Sequence, residues 1–332
     1  MGASLKDVAA RAGVSIRTVS NVVNDFPLVA PETRERVRRA IDELQYRPNA
    51  AARSLRGGRS GLIGLVLPEL ASPYFGELAA LITRAAEERS WTVLVEQTDG
   101  DPERERRLLD GGRAPGGQVV DGLLISPWAL SPAELQRRPG GAPVVLLGEQ
   151  DAAGLFDRVA IDNVAAAADA ARHLLATGRR RIAVIGLQPH LANGTAEQRY
   201  RGFRSVVTHP VLEEPVEALH RADGALAMER LLNTGVPFDA VFCFSDQLAL
   251  GALRAAASRG LRIPKDMALA GFDDIEDGRF SVPSLTTIAP DKAAIAAAAL
   301  QCLAARLAAG EAAGPARSVV VPHRLIVRES TN

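Results

Sequence analysis

Leu5, Val8, Ala9 and Ala12 recur at helical spacing, and Val19, Val22 and Val23 repeat the pattern after Gly13. Apolar residues three and four apart fall on one stripe of a helix. Residues 5–23 therefore read as two short amphipathic helices joined by a tight turn, whose stripes face each other and leave one polar face free: a helix-turn-helix. Ser15 suits the N-cap of the second helix, and Ile16, Arg17 and Thr18 open its free face, the part of a recognition helix that meets the major groove. A third helix is predicted over 31–44. Pro31 fits its first turn, and Val37, Ile41 and Leu44 close a small core over the first two helices.

From Gly61 the pattern changes. Continuous apolar runs of strand length at 62–67, 91–96, 122–126, 144–147, 181–186, 240–244 and 267–271 alternate with helical stretches. Strands that are apolar on both faces and separated by helices belong to buried parallel sheets. The length of this region and a break near Asp162 predict two doubly wound halves. In such sheets the residues just past the strand ends face the ligand crevice. Those are residues 72–75, Asp99, Ser126, Trp128, Gly148 and Glu149 in the first half, and residues 190–195, Arg199, Ser245, Asp246 and 272–274 in the second.

Between the two regions lies Tyr46-Arg-Pro-Asn-Ala-Ala-Ala-Arg-Ser-Leu-Arg-Gly-Gly58. Asn49 can cap a helix there that Gly57 and Gly58 end, but it is shorter than the ~12 to 15 residues that persist alone. Leu55 sits between Arg53 and Arg56, the composition of a minor-groove wedge. A plain interdomain linker is the other reading.

Charge favours the nucleic-acid reading. The chain is neutral, with 39 basic and 39 acidic residues, but residues 1–60 hold 11 basic against 6 acidic. A basic head on an acidic body is the footprint of a DNA-binding module carried by a sensor. Arg34, Arg36, Arg38 and Arg39 serve either phosphate contact or pairing with Glu32, Glu35, Asp42 and Glu43. Cys243 and Cys302 stand in apolar contexts, and the 5 His show no ligand spacing, so neither a disulfide framework nor a metal site is indicated. Gly61-Leu-Ile-Gly64 lacks the pattern of a phosphate loop, and no cofactor is implied. No segment reads as a membrane span, the Ala-rich run at 293–309 being broken by Gln301 and Arg306. A cytoplasmic location is expected.

Several stretches in order carry a resemblance: Leu5-Lys-Asp-Val-Ala-Ala-Arg-Ala-Gly-Val-Ser, Thr18-Val-Ser-Asn-Val-Val-Asn24, Tyr46-Arg-Pro-Asn49, Ala52-Arg-Ser-Leu55, Val159-Ala-Ile-Asp-Asn163, Ser245-Asp-Gln-Leu-Ala-Leu-Gly-Ala-Leu253, Gly271-Phe-Asp-Asp274 and Leu285-Thr-Thr-Ile288. Together they resemble the LacI/GalR family of transcriptional repressors along essentially the whole chain. The resemblance implies an α/β protein with a three-helix headpiece (1–46), a hinge helix and linker (47–60) and a periplasmic-binding-protein-like body (61–332). The body would divide into a first subdomain of about 61–160 plus 291–318 and a second of about 161–290 plus 319–332, a helix at 290–309 returning to the first. It implies DNA contacts from Ser15, Ile16, Arg17, Thr18, Ser20, Asn21 and Asn24, and from Asn49, Ala52, Arg53 and Leu55 of the hinge. It also implies effector contacts from Tyr74, Phe75, Arg199, Ser245 and Asp273. Ser126, Trp128, Glu149, Asn193 and Thr195 join them from their strand-end positions.

An Arg opposite an Asp, each able to hold two adjacent hydroxyls, with aromatic faces nearby, suits a sugar first and a nucleoside or purine second. The expected protein is a homodimeric, ligand-gated repressor on a pseudo-palindromic operator, and not an enzyme. A cytoplasmic solute binder or an enzyme on the same body is the alternative. The end at Asn332 without a leucine heptad favours a dimer over a tail-assembled tetramer. Asn21 stands where many members carry Arg, Ala30 where a Ser or Thr cap is common, and Gly148 where an Asp often precedes the crevice.

Overall fold

The computed structural model describes residues 3–23, 26–46, 59–111, 113–114, 118–137, 141–150, 154–191, 194–310 and 314–332. The chain divides into two compact units, Met1–Ser60 and Gly61–Asn332.

The first unit holds α1 (Leu5–Ala12), α2 (Ile16–Val23) and α3 (Pro31–Glu43). The start of α1 is set by a capping box in which Ser4 and Asp7 bond each other's backbone N–H, and its end by Gly13, whose φ of +65° a side chain would resist. Ser15 caps α2, its Oγ accepting the Thr18 N–H at 3.1 Å. At α3, Ala30 makes no side-chain cap bond, and Pro31 alone favours the first turn. Val8, Ala9, Ala12, Val19, Val22, Val37, Ala40 and Tyr46 form the buried core, with Leu5, Val23, Ile41 and Leu44 packed at its edge.

The second unit runs β1 (Leu62–Leu67), α4 (Pro73–Glu87), β2 (Thr92–Gln97), α5 (Pro102–Gly111), the short β3 (Arg113–Ala114) and β4 (Gln118–Val119), β5 (Gly122–Ile125), α6 (Pro132–Leu135), β6 (Val144–Leu147) and β7 (Asp157–Ile161). It continues with α7 (Asn163–Ala176), β8 (Ile182–Leu187), α8 (Thr195–Val206), β9 (Leu212–Pro215), α9 (Arg221–Asn233), β10 (Ala240–Cys243), α10 (Asp246–Ser258), β11 (Ala268–Phe272), α11 (Glu276–Phe280) and β12 (Thr286–Pro290). The last elements are α12 (Lys292–Ala309), β13 (Ser318–Val321) and β14 (His323–Ile326).

Two six-stranded sheets result, ordered β13-β7-β6-β5-β1-β2 and β14-β12-β11-β10-β8-β9. All neighbours pair in parallel except β14, which runs antiparallel to β12. Each sheet is covered on both faces by helices, so its central strands are buried throughout, as in β5, β6, β10 and β11. Where α9 crosses α10, Gly224 and Gly251 let the backbones touch: a Cβ on Gly251 would stand 1.9 Å from the Arg221 carbonyl oxygen.

The chain passes between the halves at Asp162, Asp291 and Pro322. Asp162 and Asp291 cap α7 and α12 with the same geometry, each side chain accepting an N–H three residues on at 2.9 Å. The Asp291 N–H bonds the Pro322 carbonyl at 3.2 Å, tying two of the passages together. The last passage lies at Pro322 rather than near 318, because β13 pairs with β7 in the first sheet. α12 has 18 residues and a mean hydropathy of 1.4, long and apolar enough to cross a bilayer. Its Ile295, Ala296, Ala299, Leu300, Leu303 and Leu307 are instead buried in the body's largest core cluster.

Candidate functional site

In the first unit, the exposed face of α2 begins with Ile16, 40% exposed, and Arg17. Thr18, Ser20 and Asn21 are half-buried on the same helix. The Ser15 and Thr18 hydroxyls bond each other at 2.9 Å, so Ser15 serves the helix start. Arg34 spends one donor on the Phe26 carbonyl at 2.7 Å and Arg11 pairs with Glu43 at 2.5 Å, so part of the local basic charge is used within the fold. Asn24, Asn49, Ala52, Arg53 and Leu55 lie outside the described residues, as does Asn193 of the body.

In the second unit, the carboxyl ends of both sheets open onto one cleft of about 910 Å³, counting the space open to solvent at its mouth. The first half lines it with Tyr74 and Phe75 at the start of α4, Ser126 and Trp128 past β5, and Glu149 past β6. The second half lines it with Thr195 and Arg199 of α8, Ser245 at the cap of α10, and Asp273 past β11. Phe75 forms edge-to-face pairs with Tyr74 and Trp128, at centroid distances of 5.1 and 5.8 Å, giving one wall an aromatic surface.

The opposite wall is polar and pre-organised. Arg199 is only 7% exposed, with its guanidinium 3.6 Å above the Phe272 ring. Its Nε donates to Asn163 Oδ1 at 2.8 Å, and a second donor bonds the Phe244 carbonyl. The expected free bidentate fork is therefore corrected: these bonds hold the group in place and leave one terminal nitrogen, 3.7 Å from Asp273 Oδ1, to face the cleft. Glu149 reaches across the floor, accepting from Asn163 Nδ2 and from Thr195 Oγ1, the latter at 2.6 Å.

Asp273 has the most unusual setting. Its φ of +111° lies where L-residues are rarely found, and Asp274 follows at +47°. Among the described residues no hydrogen-bond donor reaches its carboxylate, which looks into the cleft. Burial raises its pKa from 3.8 to about 6, against the opposing pull of Arg199 and Lys292 and with a further push from Glu149. Burial, and then the charges of Asp273 and Glu149, push the Tyr74 phenol up as well.

Other strand-end residues go elsewhere. Asp99 pairs with Arg104 at 2.5 Å on the surface, Asp274 is held by Arg279 and Arg328, and His190 lines a separate groove. Asp246 is fully buried, accepting from Thr287 Oγ1 at 2.6 Å and Ile275 N–H at 2.9 Å; burial keeps its pKa well up. Sequence reasoning missed Glu69, Gln188 and Gln247, which line the cleft, and Asn163, which orients Arg199. Gln188 sits two residues from His190, and Gln247 one residue from Asp246, both positions the strand-end rule reaches. Glu69 meets His220 of the second half at 2.8 and 3.0 Å, a link across the cleft's solvent edge.

The sequence matches the model of bacterial regulatory proteins of the lacI family over residues 4–49 and that of a periplasmic binding protein-like domain over 171–331. It is 38% identical to the ribose operon repressor of Halalkalibacterium halodurans, over 86% of this chain and 84% of that one. The lac repressor dimer bound to operator and the anti-inducer ONPF superimposes with a TM-score of 0.88 at 28% identity, covering 100% of this chain and 99% of that one. A LacI family transcriptional regulator from Enterococcus faecalis with bound ribose gives 0.72 at 25% identity, covering 81% and 98%.

Proposed function

The chain belongs to the LacI family and is a ligand-responsive DNA-binding transcriptional regulator; from that premise we propose that it is a homodimeric cytoplasmic repressor whose effector is an uncharged monosaccharide. The observation that carries the effector class is the Asp273 carboxylate, facing the cleft without a donor. Burial strips this carboxylate of much of its ordinary hydration, and a sugar hydroxyl in the cleft can donate to it in place of water. The aromatic wall of Tyr74, Phe75 and Trp128 covers the apolar face of a ring.

Charge narrows the class. Glu69, Glu149 and Asp273 line the cleft against Arg199, and Arg199 has two donors already committed. A phosphorylated sugar would meet net negative charge in a site of low dielectric. D-ribose is the first candidate, because the ribose operon repressor and the ribose-bound regulator are among the similar proteins. No catalysis is proposed: the Ser245 hydroxyl serves as a cap, accepting the Leu248 N–H at 3.2 Å, rather than standing against a base.

In the first unit, Arg17 and Thr18 read base edges and Ile16, Ser20 and Asn21 complete the surface of α2, while Asn49, Ala52, Arg53 and Leu55 act at the minor groove. The basic head makes operator affinity fall steeply with salt. The body is tested by thermal shift against neutral sugars, sugar phosphates and nucleosides. A neutral sugar at 100 times its Kd should add ~2.7 kcal/mol, roughly 5–10 °C in Tm for a body of this size. Stabilisation by phosphorylated sugars or nucleosides alone, or an equal shift in Asp273→Ala, overturns the assignment.

A further inference from the structure

We propose that Lys292 is a positioning residue for this cleft, holding Asp273 in its effector-facing conformation and tying that conformation to the first half of the body. The inference rests on the reading of the cleft as the effector site, and adds a residue that lines no part of it.

Lys292 is the first residue of α12, directly after the passage at Asp291, and its side chain is 7% exposed. Its ammonium carries three protons, and the structure gives it three acceptors: the Asp273 carbonyl at 2.9 Å, the Asp274 carbonyl at 3.1 Å and Glu77 Oε2 at 2.5 Å. The first two belong to the consecutive positive-φ residues Asp273 and Asp274. The third is on α4, whose first turn carries Tyr74 and Phe75 of the aromatic wall. Tyr74 itself has its ring centroid 5.8 Å from the ammonium.

The division of labour around this turn is informative. Its amides are held by the second half: Asp273 N–H by the Ile288 carbonyl at 2.8 Å, Ile275 N–H by Asp246 at 2.9 Å. Its carbonyls are held by an ammonium on α12, a helix that packs on α4 and on the first sheet. The segment presenting the Asp273 carboxylate is thus clamped between the halves. Any rotation of one half against the other must move Lys292 relative to these carbonyls or drag the turn with it. No uncharged side chain of this length offers three diverging donors, so Lys292→Met removes the clamp and Lys292→Arg preserves the charge and donors.

Full-length wild type, Lys292→Met, Lys292→Arg and Glu77→Gln are compared in three measurements. Hydrogen exchange of the 272–278 segment needs no ligand. Titration with D-ribose, or with whichever neutral sugar stabilises the wild type, gives effector affinity. Operator affinity is measured with and without that sugar. Lys292→Met should exchange at least tenfold faster in 272–278 and bind the sugar at least tenfold more weakly, while sugar-free operator affinity stays within threefold. Lys292→Arg should recover most of both losses. Glu77→Gln keeps the carbonyl bonds but loosens the tie to α4, so sugar affinity should stay within about threefold while the sugar-induced change in operator affinity shrinks at least threefold.

Wild-type exchange and sugar affinity in Lys292→Met overturn the proposal. If the wild type binds no neutral sugar, the reading of the cleft fails, and the exchange arm still decides whether Lys292 holds the turn. If Lys292→Met does not fold, Glu77→Gln decides: a wild-type sugar-induced change in operator affinity in that variant overturns the coupling.

Discussion

Replacing Asp273 by Asn should stabilise the protein at neutral pH while disabling its response to effector. Burial lifts the Asp273 carboxyl from 3.8 to about 6. Between those values the folded state binds a proton that the unfolded state has released, so stability falls as pH rises through the window and the full cost is present above it. At ~1.4 kcal/mol per pH unit the ionised carboxylate costs the native state about 3 kcal/mol at pH 7. With its side chain 13% exposed, solvent screening removes little of this. Asn keeps the shape and forgoes the charge. Urea unfolding of both proteins at pH 3.5 and pH 8 checks the sign and the size. Nearly equal stabilities are expected at pH 3.5, and an advantage of about 3 kcal/mol for Asp273→Asn at pH 8. A variant less stable than wild type at pH 8, or a gain independent of pH, refutes the reasoning. The same proton links to binding: a hydroxyl donated to the carboxylate favours its ionised form, so wild-type effector affinity should decline as pH falls below about 6.

Arg17→Ala should lose ~1 to 3 kcal/mol of operator affinity and relax preference at one position of each half-site; uniform weakening on all sequences in a binding-site selection would reduce Arg17 to a phosphate contact. Gly251→Ala forces a Cβ to within 1.9 Å of the Arg221 carbonyl, and overpacking at a backbone contact should cost about 3 kcal/mol or more. Unfolding midpoints check it, and a net gain from the ~1 kcal/mol helix advantage of Ala would show that the two helices can part freely. Glu69→Gln weakens the cross-cleft link to His220, so stopped-flow should show faster effector release with little change in entry; unchanged release would make the link incidental.

The fold was legible where burial and sequence agree locally. Strands β1, β5, β6, β8, β10 and β11 are near-continuous apolar runs because helices cover both faces. β12 is equally buried but reads Thr-Thr-Ile-Ala-Pro, and its hydroxyls are satisfied by Asp246 and Thr331, distant in sequence. β7 opens with Asp157, fully buried because Arg306 in the last turn of α12 and Arg317 beyond that helix converge on it. β9 is a polar edge strand. The cleft follows the same division. The strand-end rule reaches Ser126, Glu149, Ser245 and Asp273, since it depends on topology alone. The commitment of the Arg199 donors, the Glu69 and His220 link and the Lys292 clamp join residues scores of positions apart, and no spacing in the chain announces them.

The central claim is that occupancy of the cleft changes affinity for a two-fold DNA site. The direct measurement is selection from random duplexes by the full-length protein, followed by titration of the selected duplex with and without the stabilising sugar at fixed salt. The account predicts a pseudo-palindrome with two equivalent half-sites, and an affinity that changes at least tenfold with the sugar in wild type and not in Asp273→Asn. Selection of a single asymmetric half-site, or an operator affinity indifferent to a sugar that demonstrably binds the cleft, would contradict it.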